Sequence, residues 1–360
     1  MDTVRPIQKI IFGSPGTGKS YQIRTIATEQ LGIALEPTTH ALQKTVKTVF
    51  HPEYTYSDFI GKLQPLTQGG TIIYKFHPGH FLRALGLAYK ELISGEENHC
   101  LLVIDELNRG NAAAIFGSVF QLLDREADYW SSYEVDVSEL EIVGLFTAMG
   151  HKATISNDGI LQIDGSNFDN FYRQQERELT SNRDGLRILN LLKQRKISIP
   201  KNLSIIATIN TSDESIYYLD SAFKRRWDWD FVEAPQRFAE IPELIEQTKL
   251  IIEEGKTLEW QWCIISLNEF ILRNYQNIRR IEDKQIGWWF IMPNSGVIDI
   301  QIIKDKLMFY LWDSVFDKDK KPLEKLLSEY LKKPIQLRTY ADFVRHTKSF
   351  MLAVYDDTPF

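Results

Sequence analysis

The pattern of apolar and polar positions predicts strands joined by helices in the N-terminal part of the chain. The apolar run from Lys9 to Phe12 predicts a buried strand, and Tyr21 to Gln30 predict a helix after it. Further apolar runs predict strands at 46–50, 101–104, 203–209 and 228–232. Continuous apolar strands of this kind are typical of an α/β fold with a parallel sheet, because helices cover both faces of such a sheet.

The pattern changes after Pro235. Apolar residues then recur at helical spacing and predict helices at 241–253, 260–275, 304–316, 323–331 and 340–354. We therefore predict two domains, an α/β core over residues 1–234 and a helical lid with C-terminal helices over residues 235–360.

Residues 127–200 show little sustained period and are predicted to be an insertion into the core. Within them, strands are predicted at 141–146 and 159–163, and a helix at 186–196. This segment is either an interaction surface or a long insertion at the surface without such a role.

Charge and cysteine content narrow the class of protein. The chain has 360 residues and a formal net charge of -6, which argues against a chain dominated by sequence-independent nucleic-acid binding. Cys100 and Cys263 lie far apart, indicate neither a disulfide framework nor a zinc site, and suit a reducing cytosol. No apolar run approaches the ~20 residues needed to span a bilayer, and the polar N-terminus does not resemble a signal peptide. We expect a cytoplasmic protein without membrane contact.

The turn after the first strand carries the most specific motif. Residues 13–20, GSPGTGKS, fit the Walker A pattern G-x-x-x-x-G-K-[ST] at every fixed position, between a predicted strand and a predicted helix. The backbone N–H groups of such a turn face a phosphate. Lys19 is expected to bridge the β- and γ-phosphates, and the Ser20 hydroxyl to be a Mg²⁺ ligand. The predicted nucleotide-binding residues are Gly13, Ser14, Pro15, Gly16, Thr17, Gly18, Lys19, Ser20 and Tyr21.

The strand at 101–104 ends in two acids, Asp105 and Glu106, in the manner of a Walker B strand. Ligands of open α/β sheets bind at the carboxyl ends of the strands. We predict that Asp105 holds Mg²⁺ and that Glu106 polarises the attacking water.

Polar residues after two later elements complete the predicted site. The strand at 203–209 ends in Asn210, whose amide is placed to orient the lytic water, and Asp213 either shares that task or holds a positioning residue. Arg225 and Arg226 follow a short predicted helix and suit arginine fingers that act on a neighbouring subunit. The other interpretation is that the positive charges of this pair complement the dipole at the C-terminus of the helix. Arg109 is either a third finger or a surface residue paired with a local acid.

Three segments and one short element carry a resemblance to a known family. Residues 50–61, FHPEYTYSDFIG, resemble F-H-x-x-Y-x-Y-x-D-F, and residues 104–111, IDELNRGN, are similar to I-D-E-I-N-R-A-N. Residues 209–213, INTSD, are similar to M-N-T-A-D-R and are followed by residues 219–227, LDSAFKRRW. Residues 285–287, QIG, resemble a short I-G element of the family's lid. Together with the order of the motifs, these segments resemble AAA+ NTPases, and among them the McrB-type subunits of methylation-dependent restriction systems.

The resemblance implies an AAA+ P-loop core followed by a helical lid, assembled as a hexameric ring with NTP sites at subunit interfaces. It implies Mg²⁺ as cofactor, GTP or ATP as substrate, and an McrC-type endonuclease partner that enters the ring and stimulates hydrolysis. By position, Asn210 and Asp213 are implied to orient water, and Arg109, Arg225 and Arg226 to reach or sense a neighbour's γ-phosphate. The residues themselves do not choose between guanine and adenine.

The chain also departs from the family pattern. Glu214 stands where the family often has arginine, and Trp288 and Trp289 replace the His-Ser that commonly follows I-G. The loop begins almost at the N-terminus, so we expect target recognition and DNA contact to lie with a partner. Two other classes stay open: a MoxR or dynein-related chaperone that remodels a protein partner, and a nucleotide-gated scaffold with slow turnover.

Overall fold

The computed structural model describes residues 4–156, 158–210 and 217–357 of the chain, which fall into two compact units. The first unit comprises residues 4–11, 20–156, 158–209 and 217–230, and the second comprises residues 12–19, 210 and 231–357. The phosphate loop therefore groups with the C-terminal residues. The domain boundary at residue 234 stays a prediction.

The elements up to residue 232 are a mixture of strands and helices. The strands are β1 Gln8–Gly13, β2 Thr45–Val49, β3 Gly61–Gln68, β4 Thr71–Pro78, β5 Cys100–Asp105, β6 Val135–Asp136, β7 Ala153–Ile155, β8 Leu161–Ile163, β9 Ser166–Asn167, β10 Lys196–Ile197, β11 Leu203–Asn210 and β12 Asp228–Val232. The helices are α1 Lys19–Thr25, α2 Tyr56–Phe59, α3 His80–Ile93, α4 Ala112–Phe116, α5 Glu139–Met149, α6 Phe168–Glu178, α7 Arg183–Lys193 and α8 Ser221–Lys224. Wider π-helical or tighter 3₁₀ turns follow some of these helices and strands, at Ile26–Gln30, Leu107–Arg109 and Gly117–Leu123.

The central sheet has the strand order β12-β1-β11-β5-β2. Strand β5 lies between β11 and β2 and runs parallel to both. Its residues 100–104 are all buried, as expected for a parallel strand covered on both faces. This sheet confirms the predicted α/β core and brings the carboxyl ends of β5 and β11 to the same edge.

The segment at 127–200 contains helices and short strands. Strands β7, β8 and β9 form a small sheet, and the helix predicted at 186–196 corresponds to α7. The strand predicted at 141–146 is wrong, because these residues belong to α5. The Ser138 hydroxyl accepts the Glu141 N–H, and the Glu141 carboxylate accepts the Ser138 N–H, so a capping box begins a helix there.

The second unit is mainly helical and also contains a small sheet. Its helices are α9 Glu243–Glu246, α10 Trp260–Arg273, α11 Ile281–Lys284, α12 Ile300–Ile302, α13 Lys321–Leu331, α14 Tyr340–Arg345 and α15 Thr347–Asp356, with further helical turns at Tyr275–Asn277, Ile303–Met308 and Leu311–Val315. Its strands are β13 Lys249–Glu253, β14 Lys256–Glu259 and β15 Val297–Asp299, in the order β14-β13-β15. The core of this unit includes Trp260, Ile264, Phe270, Leu311, Phe343 and Phe350.

The helix predicted at 241–253 is wrong over most of its length. Leu250 and Ile252 are buried, whereas Lys249, Ile251 and Glu253 are exposed, which is the alternation of a strand. A turn at Gly255 joins this strand to β14, with which it pairs antiparallel. The prediction failed because a short apolar run satisfies both periods.

None of the helices in the described ranges is long and apolar enough to cross a membrane. Cys100 and Cys263 are both buried free thiols, one in each unit.

Candidate nucleotide site

The phosphate loop from Gly13 to Lys19 has a tightly turned backbone. Gly16 and Gly18 have φ angles of 78° and 90°, a left-handed conformation that glycine adopts without a steric penalty. The Lys19 Nζ donates to the carbonyl oxygens of Gly13 at 2.8 Å and Ser14 at 2.9 Å. The loop is thus closed on itself by the lysine that is predicted to bind phosphate.

Residues of the lid contact this loop within the second unit. The Ser14 hydroxyl is buried and donates to the Glu282 carbonyl at 2.6 Å, so this side chain bonds to the lid. The backbone N–H groups of Gly287 and Trp289 donate to the carbonyls of Pro15 and Gly16, each at 2.9 Å. The predicted I-G element at 285–287 therefore lies directly against the phosphate loop.

A cavity of about 590 Å³ adjoins Thr17 in the same unit. Its lining combines the apolar side chains of Leu272 and Trp288 with polar groups of Gln236, Arg237 and Glu269. Small-molecule sites in proteins commonly have this volume and this mixture of apolar walls and a few polar groups.

The end of β5 holds the two predicted acids in the first unit. The Asp105 Oδ1 accepts a hydrogen bond from the Thr208 hydroxyl at 2.9 Å, and the Glu106 N–H donates to the same hydroxyl oxygen at 3.2 Å. Glu106 has φ 55° and ψ 44°, a left-handed conformation that is costly for a residue with a side chain. Backbone strain of this kind concentrates at functional sites.

Asn210 is the last residue of β11, whose Ala207 pairs with Ile104 of β5. This register places Thr208 beside Asp105, two residues before Asn210. Asp213 falls outside the described residues. The Asn108 carbonyl accepts the Tyr217 N–H at 2.7 Å, which ties the turn after β5 to the chain before α8.

The predicted arginines differ in their surroundings. Arg226 is nearly buried and donates to Asp124 at 2.6 Å and to the Ala222 carbonyl at 3.0 Å. This arginine is therefore engaged within its own chain, and its role as a finger for a neighbour stays a prediction. Arg225 is exposed at the end of α8, and Arg109 is exposed in the turn after β5.

An aromatic cluster orients helix α8. The Phe223 ring lies 5.4 Å from the Phe116 ring and 5.8 Å from the Trp227 ring, measured between centroids. Phe116 in turn contacts Phe50 and Phe59 of the segment at 50–61. Because Phe223 is held in this core, Arg225 stays on the exposed side of the helix end.

Tyr54 of the same segment bonds to a histidine. Its hydroxyl lies 2.7 Å from the His80 Nδ1 and accepts a hydrogen bond from Thr48 at 3.2 Å. Burial raises the pKa of Tyr54 to about 12. Burial, and then the nearby Arg83 charge, lower the pKa of His80, so the neutral imidazole is favoured.

The donor types at the site suit Mg²⁺. A serine hydroxyl and a carboxylate are hard oxygen ligands, and Mg²⁺ is usually held by one or two carboxylates together with water and phosphate oxygens. In the described part of the chain no three His, Cys, Asp or Glu side chains are grouped for a metal. Asp105 is half-buried and oriented by Thr208, as a metal-binding carboxylate needs to be.

Sequence reasoning missed Thr208 and the full extent of the lid contact. A signal for Thr208 was present, because it is a hydroxyl residue near the end of an apolar strand that neighbours the acid-bearing strand. The roles of Gly287 and Trp289 had only the I-G resemblance as a signal, because their bonds are made by the backbone.

Comparison with known proteins defines the class. A family model described as AAA domain (dynein-related subfamily) matches residues 8–227. The chain belongs to this AAA family, which confirms the predicted AAA+ core and makes it one of the NTP-hydrolysing AAA+ proteins.

The particular relatives are parts of restriction enzymes. The chain is 26% identical over 338 residues to the type II restriction enzyme BsuMI component YdiS of Bacillus subtilis (strain 168), covering 86% of this chain and 80% of that one. It is 25% identical over 229 residues to the type IV methyl-directed restriction enzyme EcoKMcrB subunit of Escherichia coli (strain K12), covering 62% of this chain and 35% of that one. These likenesses confirm the resemblance to McrB-type subunits.

The solved structure of C. elegans PCH-2 covers 97% of this chain and 61% of that chain at 12% identity, with a TM-score of 0.21. A TM-score of this size does not demonstrate a common fold.

Proposed function

We propose that this protein is the Mg²⁺-dependent NTPase motor subunit of a DNA restriction or anti-phage complex. Two relatives of the chain belong to restriction enzymes, one of them methyl-directed. GTP is the favoured substrate because the McrB-type resemblance implies it, and ATP is the alternative.

The observation that carries the proposal is the arrangement at the end of β5. A buried strand delivers Asp105, a neighbouring strand supplies the hydroxyl that orients it, and Glu106 follows in a strained backbone conformation. In the proposed reaction Asp105 and Ser20 hold the metal, and Glu106 polarises the water that attacks the γ-phosphate. Mg²⁺ held by these residues would supply charge neutralisation for the transferred phosphoryl group.

The other predicted residues take roles around this centre. Lys19 leaves its carbonyl partners to bind phosphate, and Asn210 and Asp213 orient the water. The cavity beside Thr17 receives the base and the sugar, since its volume and mixed lining suit a nucleoside.

We further propose a ring of identical subunits, with a hexamer as the expected size. Arg225, exposed at the end of α8, and Arg109 then act on the nucleotide of a neighbour, while Arg226 supports α8 through Asp124. An McrC-type nuclease is the expected partner and carries the contact with DNA.

The test is hydrolysis of GTP and ATP side by side, with the molecular mass measured in each nucleotide. We expect Mg²⁺-dependent turnover that rises more than linearly with protein concentration, together with a nucleotide-dependent oligomer. A monomer whose specific activity is independent of concentration would refute the shared site.

A second candidate is a remodelling chaperone, because the matching family model is that of the dynein-related subfamily. Reconstitution with the product of a neighbouring nuclease gene separates the two. NTP-dependent DNA cleavage supports restriction, whereas NTP-dependent release or reshaping of a non-nuclease partner supports the chaperone.

A further inference from the structure

The lid segment 282–290, here called the loop clamp, is bonded to the phosphate loop by backbone groups. Hydrogen bonds between the two run from the Ser14 hydroxyl to the Glu282 carbonyl, from the Gly287 N–H to the Pro15 carbonyl and from the Trp289 N–H to the Gly16 carbonyl. The Trp289 ring also lies beside Gly18, where a Cβ built on the glycine would be 3.4 Å from the ring's Cδ1.

These bonds fix the direction of loop amides that are predicted to face a phosphate. In a trans peptide the carbonyl and the following N–H lie in one plane and point in opposite directions. When Gly287 holds the Pro15 carbonyl, it therefore also fixes the N–H of Gly16. When Trp289 holds the Gly16 carbonyl, it likewise fixes the N–H of Thr17.

The close approach of the two segments depends on glycine at both sides. A Cβ built on Gly287 would lie 2.2 Å from the Gly16 carbonyl and the Thr17 nitrogen, and one built on Gly16 would lie 2.4 Å from the Phe290 nitrogen. Gly16 occupies a variable position of the Walker A pattern, so phosphate binding by itself does not require glycine there. The close contact with the loop clamp is a reason for glycine at position 16.

Asn268 of α10 holds the loop clamp in turn. This buried side chain accepts the Ile286 N–H at 2.9 Å and donates to the Ile286 carbonyl at 2.9 Å. It also donates to the Pro235 carbonyl at 3.1 Å. One side chain from the core of the lid thus fixes the residue next to Gly287.

We propose that the loop clamp sets the phosphate-binding amides in their binding orientation before a nucleotide arrives. Gly287 and Asn268 are then positioning residues for the triphosphate, and this role rests on the proposed nucleotide binding. A loop ordered in advance loses less conformational entropy when it binds, which raises affinity.

The test compares three variants of the full chain, Gly287→Ala, Asn268→Ala and the control Gly255→Ala. Gly255 is in the same unit and has φ +78° with nothing within 4 Å of a built Cβ, so its substitution strains the backbone away from the loop. Affinity is measured by calorimetry for Mg²⁺ with GTP, with ATP and with inorganic tripolyphosphate, which has no base. Hydrogen exchange of the peptide covering residues 12–19 is measured without nucleotide.

We expect Gly287→Ala and Asn268→Ala to weaken binding of all three ligands by a similar factor, at least about tenfold, which equals about 1.4 kcal/mol. Exchange of the loop amides accelerates by a comparable factor, and Gly255→Ala changes neither quantity. If Gly287→Ala does not fold, Asn268→Ala, which adds no atom near the loop, provides the test.

Weaker GTP binding with unchanged tripolyphosphate binding would overturn the proposal, because these residues would then serve the base. Unchanged loop exchange in both variants would overturn it as well. If the native protein binds no triphosphate, the proposed function fails, and the exchange measurement still decides whether the clamp orders the loop.

Discussion

The Thr208 hydroxyl joins the two predicted catalytic acids, since it donates to the Asp105 Oδ1 at 2.9 Å and accepts the Glu106 N–H at 3.2 Å. One hydroxyl on β11 therefore sets the orientation of the carboxylate at the end of β5 and the position of the backbone after it. The parallel register of β11 and β5 brings these residues together.

We expect Thr208→Val to reduce kcat by about 10- to 100-fold, because a hydrogen bond to a charged group contributes about 1.5–3 kcal/mol. The Mg²⁺ concentration for half-maximal activity rises, since Asp105 is no longer oriented. Thr208→Ser keeps the hydroxyl and is expected to stay near native activity. Titration of the steady-state rate with Mg²⁺ checks this, and native behaviour of Thr208→Val would contradict it.

Replacing Glu106 by glutamine tests the predicted base. Glu106→Gln keeps the shape and removes the charge that polarises water, so turnover falls by about 10²- to 10⁴-fold while nucleotide binding is retained. Equilibrium binding and single-turnover hydrolysis measure the two effects. Normal turnover in this variant would rule out Glu106 as the general base.

The left-handed backbone of Glu106 predicts a trade-off between stability and activity. Glu106→Gly relieves a conformation that costs about 1–2 kcal/mol for a residue with a Cβ, offset by about 0.5–1 kcal/mol of glycine entropy. We expect the inactive variant to unfold at the same or a slightly higher temperature. Glu254→Gly, at an exposed glutamate without a positive φ, should not gain stability. A clear loss of thermal stability in Glu106→Gly would contradict the prediction.

The arginine pair is expected to separate into two roles. Arg225→Ala should abolish cooperative turnover without changing the thermal midpoint, because this side chain is exposed. Arg226→Ala should lower the free energy of unfolding by about 2 kcal/mol, since it leaves Asp124 without its ion pair. Thermal unfolding and mixing of each variant with Glu106→Gln subunits distinguish the roles. Equal effects of both substitutions on stability would argue against this division.

The contact of His80 with Tyr54 predicts a pH dependence of stability. Because burial lowers the His80 pKa below its ordinary 6.5, the folded state binds fewer protons than the unfolded state in this range. The contribution of neutral His80 to the stability of the fold is fully present above about pH 6.5, the pKa of an unfolded histidine. It is lost as the pH falls through the lower pKa that His80 has in the folded state. Thermal midpoints between pH 5 and 8 should fall less steeply for His80→Gln than for the native chain. Parallel curves would show that His80 does not contribute.

Much of the core was predictable because its signals are local. The strand before the phosphate loop and the strand that ends in Asp105 are continuous apolar runs next to polar motifs, and both are present as predicted. The two errors, at 141–146 and 241–253, concern short apolar segments. A capping box decided the first, and pairing with β14 decided the second.

Side-chain partners of the candidate site were less predictable, because they come from distant parts of the chain. Arg225 and Arg226 are neighbours in sequence. Arg226 forms an ion pair with Asp124, whereas Arg225 is exposed, and the sequence does not show where Asp124 lies. The carboxylate that Thr208 contacts became known only with the strand register. The lid contacts of Pro15 and Gly16 are made by backbone groups, which carry no residue signature.

By itself, the sequence determined that residues 13–20 fit a phosphate-binding motif and that two acids follow an apolar strand, because those residue types are required by the chemistry and lie next to one another. Only the tertiary structure decided what holds these groups in place. Thr208 reaches Asp105 through strand pairing, and Gly287 reaches Pro15 across more than two hundred residues of chain. Contacts between such distant residues depend on how the apolar surfaces pack, and a short stretch of sequence does not predict them.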